Sequence, residues 1–319
     1  MTGITGILNA NADTYGSLSG DFLFNIKTGK FNFFIGGNKA NRKNIGESEM
    51  INITYGEDTL TTTSIGQNER GHDSRSLKAG FDFFINDYNT ISVSGNINGR
   101  TNSGGGLRDY SESSTNGYSL NTLTKSVDSG ESMNYSFSLD YKKTFEKKGQ
   151  EFAAYAFYRS GKGEDFSYFN RYVNDTVLYN GQKNWEIGTD DDMRFKLDYV
   201  HPIKDKMKVE AGYQTRIDNS FEWNDVHWYS VEDNYEPSSN STFYTDSDFK
   251  QYIHSLYSTF SNSGKVFGYQ LGLRAEYTDR SITYSGSQEV FGIKRWDFFP
   301  TVHLSFKISE EHQLTTSYT

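Results

Sequence analysis

The feature that most constrains this chain is a rhythm of short polar turns, each flanked by two segments in which apolar and polar residues alternate. The turns centre on Gly29, Tyr88, Lys147, Lys204, Ser263 and Glu311, at intervals of 59, 59, 57, 59 and 48 residues. Each interval holds two strand-length segments and one long polar stretch. Successive side chains of a strand point to opposite faces, so alternation makes one face apolar and the other polar. Short turns at one end and long connections at the other are what an up-and-down transmembrane β-barrel requires, and a soluble sandwich has no reason to segregate them. The predicted fold is therefore all-β and antiparallel, with short turns toward the periplasm and long loops outside.

Composition agrees once only half the residues are asked to meet lipid. Mean hydropathy is -0.72, which by itself reads as soluble, yet aromatics reach 16%. Disordered chains are poor in such residues. No run of about 18 apolar residues occurs, so no transmembrane helix is expected. Zero cysteines exclude a disulfide scaffold and thiolate metal sites. The three prolines fall in a turn (Pro202), in a loop (Pro237) and where a strand is expected to begin (Pro300). A net charge of -9 argues against nucleic acid as a partner. Met1-Thr2-Gly3-Ile4 has neither the basic start nor the apolar core of a signal peptide, so the chain reads as a fragment of a longer exported barrel.

About twelve strands are expected, the first from about Tyr15 to Lys27. Leu77, Ala79, Phe81, Phe83 and Ile85 form one face of a strand, against Lys78 and Asp82. Ile91, Val93, Gly95 and Ile97 repeat this in the next strand, and Met133, Tyr135, Phe137, Leu139 and Tyr141 in a third, against Asp140. Leu197 opposes Lys196 and Asp198, while Leu271 and Leu273 oppose Arg274 and Glu276. Phe81, Phe83, Ile85, Phe137, Leu139, Leu197, Leu271 and Leu273 are expected to face lipid and to be exposed, and the charged set to face the lumen. Strand nine carries apolar residues on both faces, Tyr252 to Phe260 against Ile253 to Thr259, and its lipid face cannot be assigned from alternation. Phe31, Tyr88, Phe145, Tyr199, Phe267 and Phe306 lie near short turns, where a periplasmic aromatic girdle belongs. The expected loops are Asn41–Ser74, Thr101–Gly130, Ser160–Asp191, Ile217–Ser247 and Thr278–Lys294, with Asn52–Thr54 and Thr59–Ser64 able to extend their strands. Gly104-Gly105-Gly106 reads as a flexible loop tip.

Chemistry is sparse. None of the six histidines pairs at metal-ligand spacing, so no metal site or cofactor is expected. His303 and Ser305 share a lumen face, but without a third partner they read as a polar lining pair, and no catalytic residue is expected. Asp190-Asp191-Asp192 reads as a solvated cluster. The composition outlier is Ile217–Ser247, rich in acidic residues and without Lys or Arg. Its aromatics Trp223, Trp228, Tyr229, Tyr235 and Tyr244 are the ligand-binding candidates, since aromatic faces beside carboxylates suit sugar rings, cationic ligands or calcium. The plainer reading is an acidic surface loop whose aromatics pack on its neighbours.

Three stretches resemble an outer-membrane β-barrel family allied to TonB-dependent receptors. Gly3-Ile4-Thr5-Gly6-Ile7-Leu8-Asn9 is similar to the junction where that family's plug ends and its barrel begins. Gly272-Leu273-Arg274-Ala275-Glu276-Tyr277-Thr278 is similar to a barrel strand. Phe299-Pro300-Thr301-Val302-His303-Leu304-Ser305 followed by Gln313-Leu314-Thr315-Thr316-Ser317-Tyr318 is similar to the hairpin after it. Ala10-Asn11-Ala12-Asp13 departs from the basic stretch usual after the junction. The resemblance implies a plug–barrel junction over 1–14 and, over 15–319, the N-terminal part of a barrel of about twenty-two strands: an open half-barrel by itself. It further implies a fragment of an outer-membrane receptor or transporter for a nutrient ligand, of siderophore, glycan or peptide class, with outer-membrane lipid and TonB (through the plug) as partners. The alternatives are a self-contained small barrel, either a porin or a rim enzyme, and a surface adhesin.

Overall fold

A computed structural model describes residues 2–204, 206–231, 242–285 and 290–319. Among these there is no helix. Thirteen strands follow one another: β1 (Gly3–Ala12), β2 (Leu18–Thr28), β3 (Phe31–Thr54), β4 (Leu60–Asn86), β5 (Asn89–Ser114), β6 (Ser119–Thr144), β7 (Glu151–Val173), β8 (Val177–Lys204), β9 (Met207–Ser230), β10 (Thr242–Ser263), β11 (Phe267–Tyr284), β12 (Phe291–Lys307) and β13 (Gln313–Tyr318). All lie in one sheet in chain order, with β1 and β13 as its two edges. Every neighbour pair is antiparallel, as consecutive hairpins demand.

The strand beyond the expected twelve is β1. Its Ile4, Gly6, Leu8 and Ala10 stand opposite Ile26, Phe24, Phe22 and Gly20, so it widens the same apolar face. Gly6 leaves room there for the ring of Phe24, which a Cβ would meet at 2.7 Å.

The long loops are the larger correction, because the chain continues through them as strand. β3 and β4 stay paired from Phe31↔Phe83 to Thr54↔Leu60, and β5 and β6 from Asn89↔Lys143 to Ser113↔Ser119. β7 and β8 reach Val173↔Val177 before a turn in which Asn174 and Asp175 both take positive φ, 48° and 61°. Asn and Asp tolerate that conformation, which suits tight hairpins. A polar hairpin above a membrane gains by pairing: the ladder satisfies its backbone whether or not its side chains are apolar. Gly104-Gly105-Gly106 accordingly lies inside β5, opposite Asp128, Val127 and Ser126 of β6. Pro300 is likewise interior to β12, at a position that β13, which begins pairing at Val302, does not reach. At about 3.3 Å per residue a 28-residue strand such as β8 measures about 90 Å, and a tilt near 40° leaves about 70 Å of height, against an apolar band of about 25 Å.

Register carries one apolar face across the sheet. Phe83, Ile91, Tyr141, Ala154, Leu197, Tyr213, Leu256, Ala275 and Phe298 form a single row. That row starts at the foot of β4 and ends in the middle of β12, so the strands are staggered as in a sheared barrel wall. Strand nine of the sequence, here β10, is now assigned: Tyr252, His254, Leu256, Ser258 and Phe260 share the apolar face, and Ile253, Ser255, Tyr257 and Thr259 the polar one. His254 avoids an isolated polar group through Nδ1 contacts to the Tyr213 hydroxyl (2.9 Å) and the Thr215 hydroxyl (3.0 Å).

No conventional core exists. Ala40 is the only buried hydrophobic residue among those described, whereas Leu256 is 64% exposed. Phe137, Leu139, Leu271 and Leu273 are exposed as expected. Phe81, Phe83, Ile85 and Leu197 are half-buried, because same-face neighbours cover part of them: Phe31 stacks on Phe83 at 4.7 Å and Phe33 lies 6.1 Å from Phe81. So continuous an exposed apolar face needs an apolar solvent. The girdle is visible where Phe145 meets Tyr199 edge-on at 6.4 Å and Phe267 stands opposite Phe306.

Candidate ligand-binding wall

On the polar face the side chains bind one another. Lys196 pairs with Asp198 (2.8 Å) and Arg274 with Glu276 (2.9 Å). Arg274 also donates to Ser255 Oγ (2.8 Å), Ser255 donates to Glu276 (3.1 Å), and the guanidinium lies over the ring of Tyr257. The Tyr257 hydroxyl donates to Asp198, two strands away. It crosses Gly212, where any Cβ would collide with the ring. Ser255, at 1% exposure, is the most deeply buried side chain described, so the protected centre of this sheet is a hydrogen-bonded ionic network. Further down, Asp82 accepts from Asn32 (3.0 Å) and Ser92 (2.7 Å). Lys78, Asp82, Asp140, Lys196, Asp198, Arg274 and Glu276 all take the face expected of them.

Of the aromatic candidates, Trp223, Trp228, Tyr229 and Tyr244 sit on strands β9 and β10 above the apolar band rather than in a loop, and they divide between faces. Trp223 and Tyr244 share the outward face and come together with Trp185 of β8: Trp223 lies 5.7 Å from Trp185 and 6.0 Å from Tyr244, both edge-on. Trp185 Nε1 donates to Glu164 (3.0 Å), and His227 Nε2 lies 2.9 Å from Asp225 Oδ2. The Tyr244 hydroxyl donates to Asp246 (3.1 Å), which raises its pKa. Tyr229 is on the same face, its hydroxyl donating to Asn170 of β7 across Gly181 and its pKa raised by burial. Trp228 is on the lumenal face, edge-on to Phe169 at 6.3 Å. Tyr235 lies outside the described residues, as do Glu232, Asp233 and Glu236.

Each carboxylate of the Asp190-Asp191-Asp192 run has a protein partner: Arg159 (2.9 Å), the Tyr158 hydroxyl (2.9 Å) and Arg194 respectively. His303 and Ser305 share the polar face, opposite Gln270 and Gly268. Trp185 and Glu164 escaped the sequence reading because they lie outside the acidic stretch. One signal could have found such partners: across β8 to β10, residues 59 apart stand in one row two strands over, as Asp198 and Tyr257 or Trp185 and Tyr244 do.

A family model described as "Outer membrane protein beta-barrel family" matches residues 143–319. No curated protein matches the chain. Among solved structures the chain is similar to the ferric yersiniabactin uptake receptor FyuA from Yersinia pestis, at 8% identity and a TM-score of 0.32, over 99% of this chain and 67% of that one. It is similar to the outer membrane protease OmpT from Escherichia coli at 9% identity, TM-score 0.24, over 87% and 96%. It is also similar to the Ralstonia pickettii toluene transporter TbuX at 11% identity, TM-score 0.27, over 92% and 87%. At these scores the likenesses carry no argument about activity.

Proposed function

Because the chain belongs to the outer membrane protein β-barrel family and so resides in the outer membrane with its apolar face in lipid, we propose that it is wall from a TonB-dependent receptor that takes up a nutrient ligand of siderophore, glycan or peptide class. It acts by binding and passage, without catalytic residues. The observation that carries this reading is the polar face. Lys196, Asp198, Tyr257, Arg274, Glu276 and Ser255 satisfy one another across four strands, which suits the lining of a wide aqueous lumen. The plug and remaining strands of the full protein supply the gate and the contact to TonB. The test is uptake by intact cells. Deleting the gene is expected to abolish growth on one limiting iron complex, glycan or peptide, and deleting tonB is expected to do the same. Growth on every such nutrient that survives both deletions would overturn the proposal.

A further inference from the structure

We propose that the outer part of the lumenal wall, on β4 to β7, is a binding site for an anionic saccharide: a phosphate, sulfate or carboxylate group on a hydroxylated ring. The site deepens the receptor reading and rests on it. Register builds it. Arg108 of β5, Thr124 of β6 and Arg171 of β7 stand opposite one another in one row. The next row toward the membrane holds Gly106, Ser126 and Phe169, and the row after that places Arg70 of β4 opposite Gly104. With strands about 4.8 Å apart, Arg108 and Arg171 stand about 10 Å apart at the backbone. Their guanidinium arms can therefore converge above a floor of glycine and hydroxyl groups. A cavity of about 520 Å³ lies there, lined by all three arginines.

Charge supports the place. Five arginines of the polar face are each answered by a carboxylate: Arg159, Arg194, Arg216, Arg274 and Arg295. Among the described residues, Arg70, Arg108 and Arg171 have no carboxylate within 4.0 Å; Arg42, Arg100 and Arg280 of the same face share that lack, but Arg100 is bonded to Asn102, Arg280 to Gln251, and none of these three lines the cavity. Asp128 is the one acid lining the cavity, so the surface is positive on a chain whose net charge is -9. Unpaired guanidiniums in a recess are forks for an oxyanion, and the hydroxyls of Thr124 and Ser126 add donors. The remaining chemistry indicates a sugar-like body. Phe169, held edge-on by Trp228, offers an apolar ring face beside the arginines.

The test uses the full-length protein purified from outer membranes in detergent, titrated calorimetrically with a trisulfated heparin disaccharide and, separately, with neutral maltose and inorganic phosphate. The disaccharide is expected to bind, to weaken as salt rises, and to lose at least about ten-fold in affinity in Arg108→Gln and in Arg171→Gln, the worth of one charge-assisted hydrogen bond. Lys162→Gln, on the opposite face, is expected to bind as the parent does. Tighter binding of maltose, phosphate binding as tight as the disaccharide, or arginine variants that bind unchanged would overturn the site. A heat-shift on gels confirms that each variant is folded. Arginine-dependent binding in a protein whose deletion affects no nutrient's uptake would sink the receptor reading and leave the site standing.

Discussion

At the scale of single residues, the decisive quantity is which face a side chain takes. Alternation alone assigned it for Leu197, Leu271 and Arg274, since each has a neighbour of opposite character. It failed for β10, because tyrosine serves both sides: Tyr252 faces lipid, while Tyr257 buries its ring over Gly212 and gives its hydroxyl to Asp198. Only pairing with β9 and β11 separates the two. Trp223 and Trp228 show the same limit, being chosen together from composition and then divided between faces by the odd spacing between them. The assignment can be checked at Leu271, which is 46% exposed on the apolar face. Leu271→Arg in the full-length protein is expected to lower refolding stability in lipid vesicles by about 2–4 kcal/mol, measured by urea titration. Equal stability of variant and parent would mean that the face is wrong.

At the scale of elements, the periplasmic turns were legible because turn residues are polar and closely spaced, and the external hairpins were not. Their strands carry Ser, Thr, Asn and Gly on both faces, so nothing in the alternation distinguishes a paired polar strand from a loop. β1 was hidden because its stretch resembled a plug–barrel junction, and because Ile7 beside Leu8 breaks the alternation. The β1–β2 turn shows what closes such a hairpin: the backbone N–H groups of Tyr15 and Ser17 both donate to Asp13 Oδ1, at 2.9 Å each, and Gly16 takes φ 85°. The bond from Ser17 is the largest of the influences holding the Asp13 carboxyl below its ordinary pKa. A depressed folded value means that the turn's extra stability is present above the unfolded value, near 3.9, and is lost as pH falls through the folded one. Protection of the Ser17 amide from hydrogen exchange, corrected for intrinsic rates, is expected to be constant from neutral pH to about 4 and to fall below that. Asp13→Ala should lack the protection throughout. Protection that is independent of pH down to 2 would refute the assignment.

At the scale of the whole molecule, the sheet has two edges and a membrane tolerates none, since each unpaired backbone group in hydrocarbon costs several kcal/mol. The thirteen strands are therefore expected to give no discrete conductance and no compact heat-sensitive gel band when refolded alone in detergent. Observing both would show that they close by themselves and would favour a small porin over a receptor. The sequence rhythm revealed the topology, but not the height of the wall, which depends on pairing in stretches that look like loops. That height has its own consequence. A solute that touches the rim near Arg108 and Arg171 leaves three-dimensional diffusion while it is still tens of ångströms above the lipid. From there its search is confined to a surface, and a weak attraction at the lip is enough to enrich it along the whole descent. In a receptor of the kind proposed, the outer hairpins would behave as an antenna, and the rate at which a scarce molecule is captured would be set by their reach before any selectivity deeper in the barrel applies.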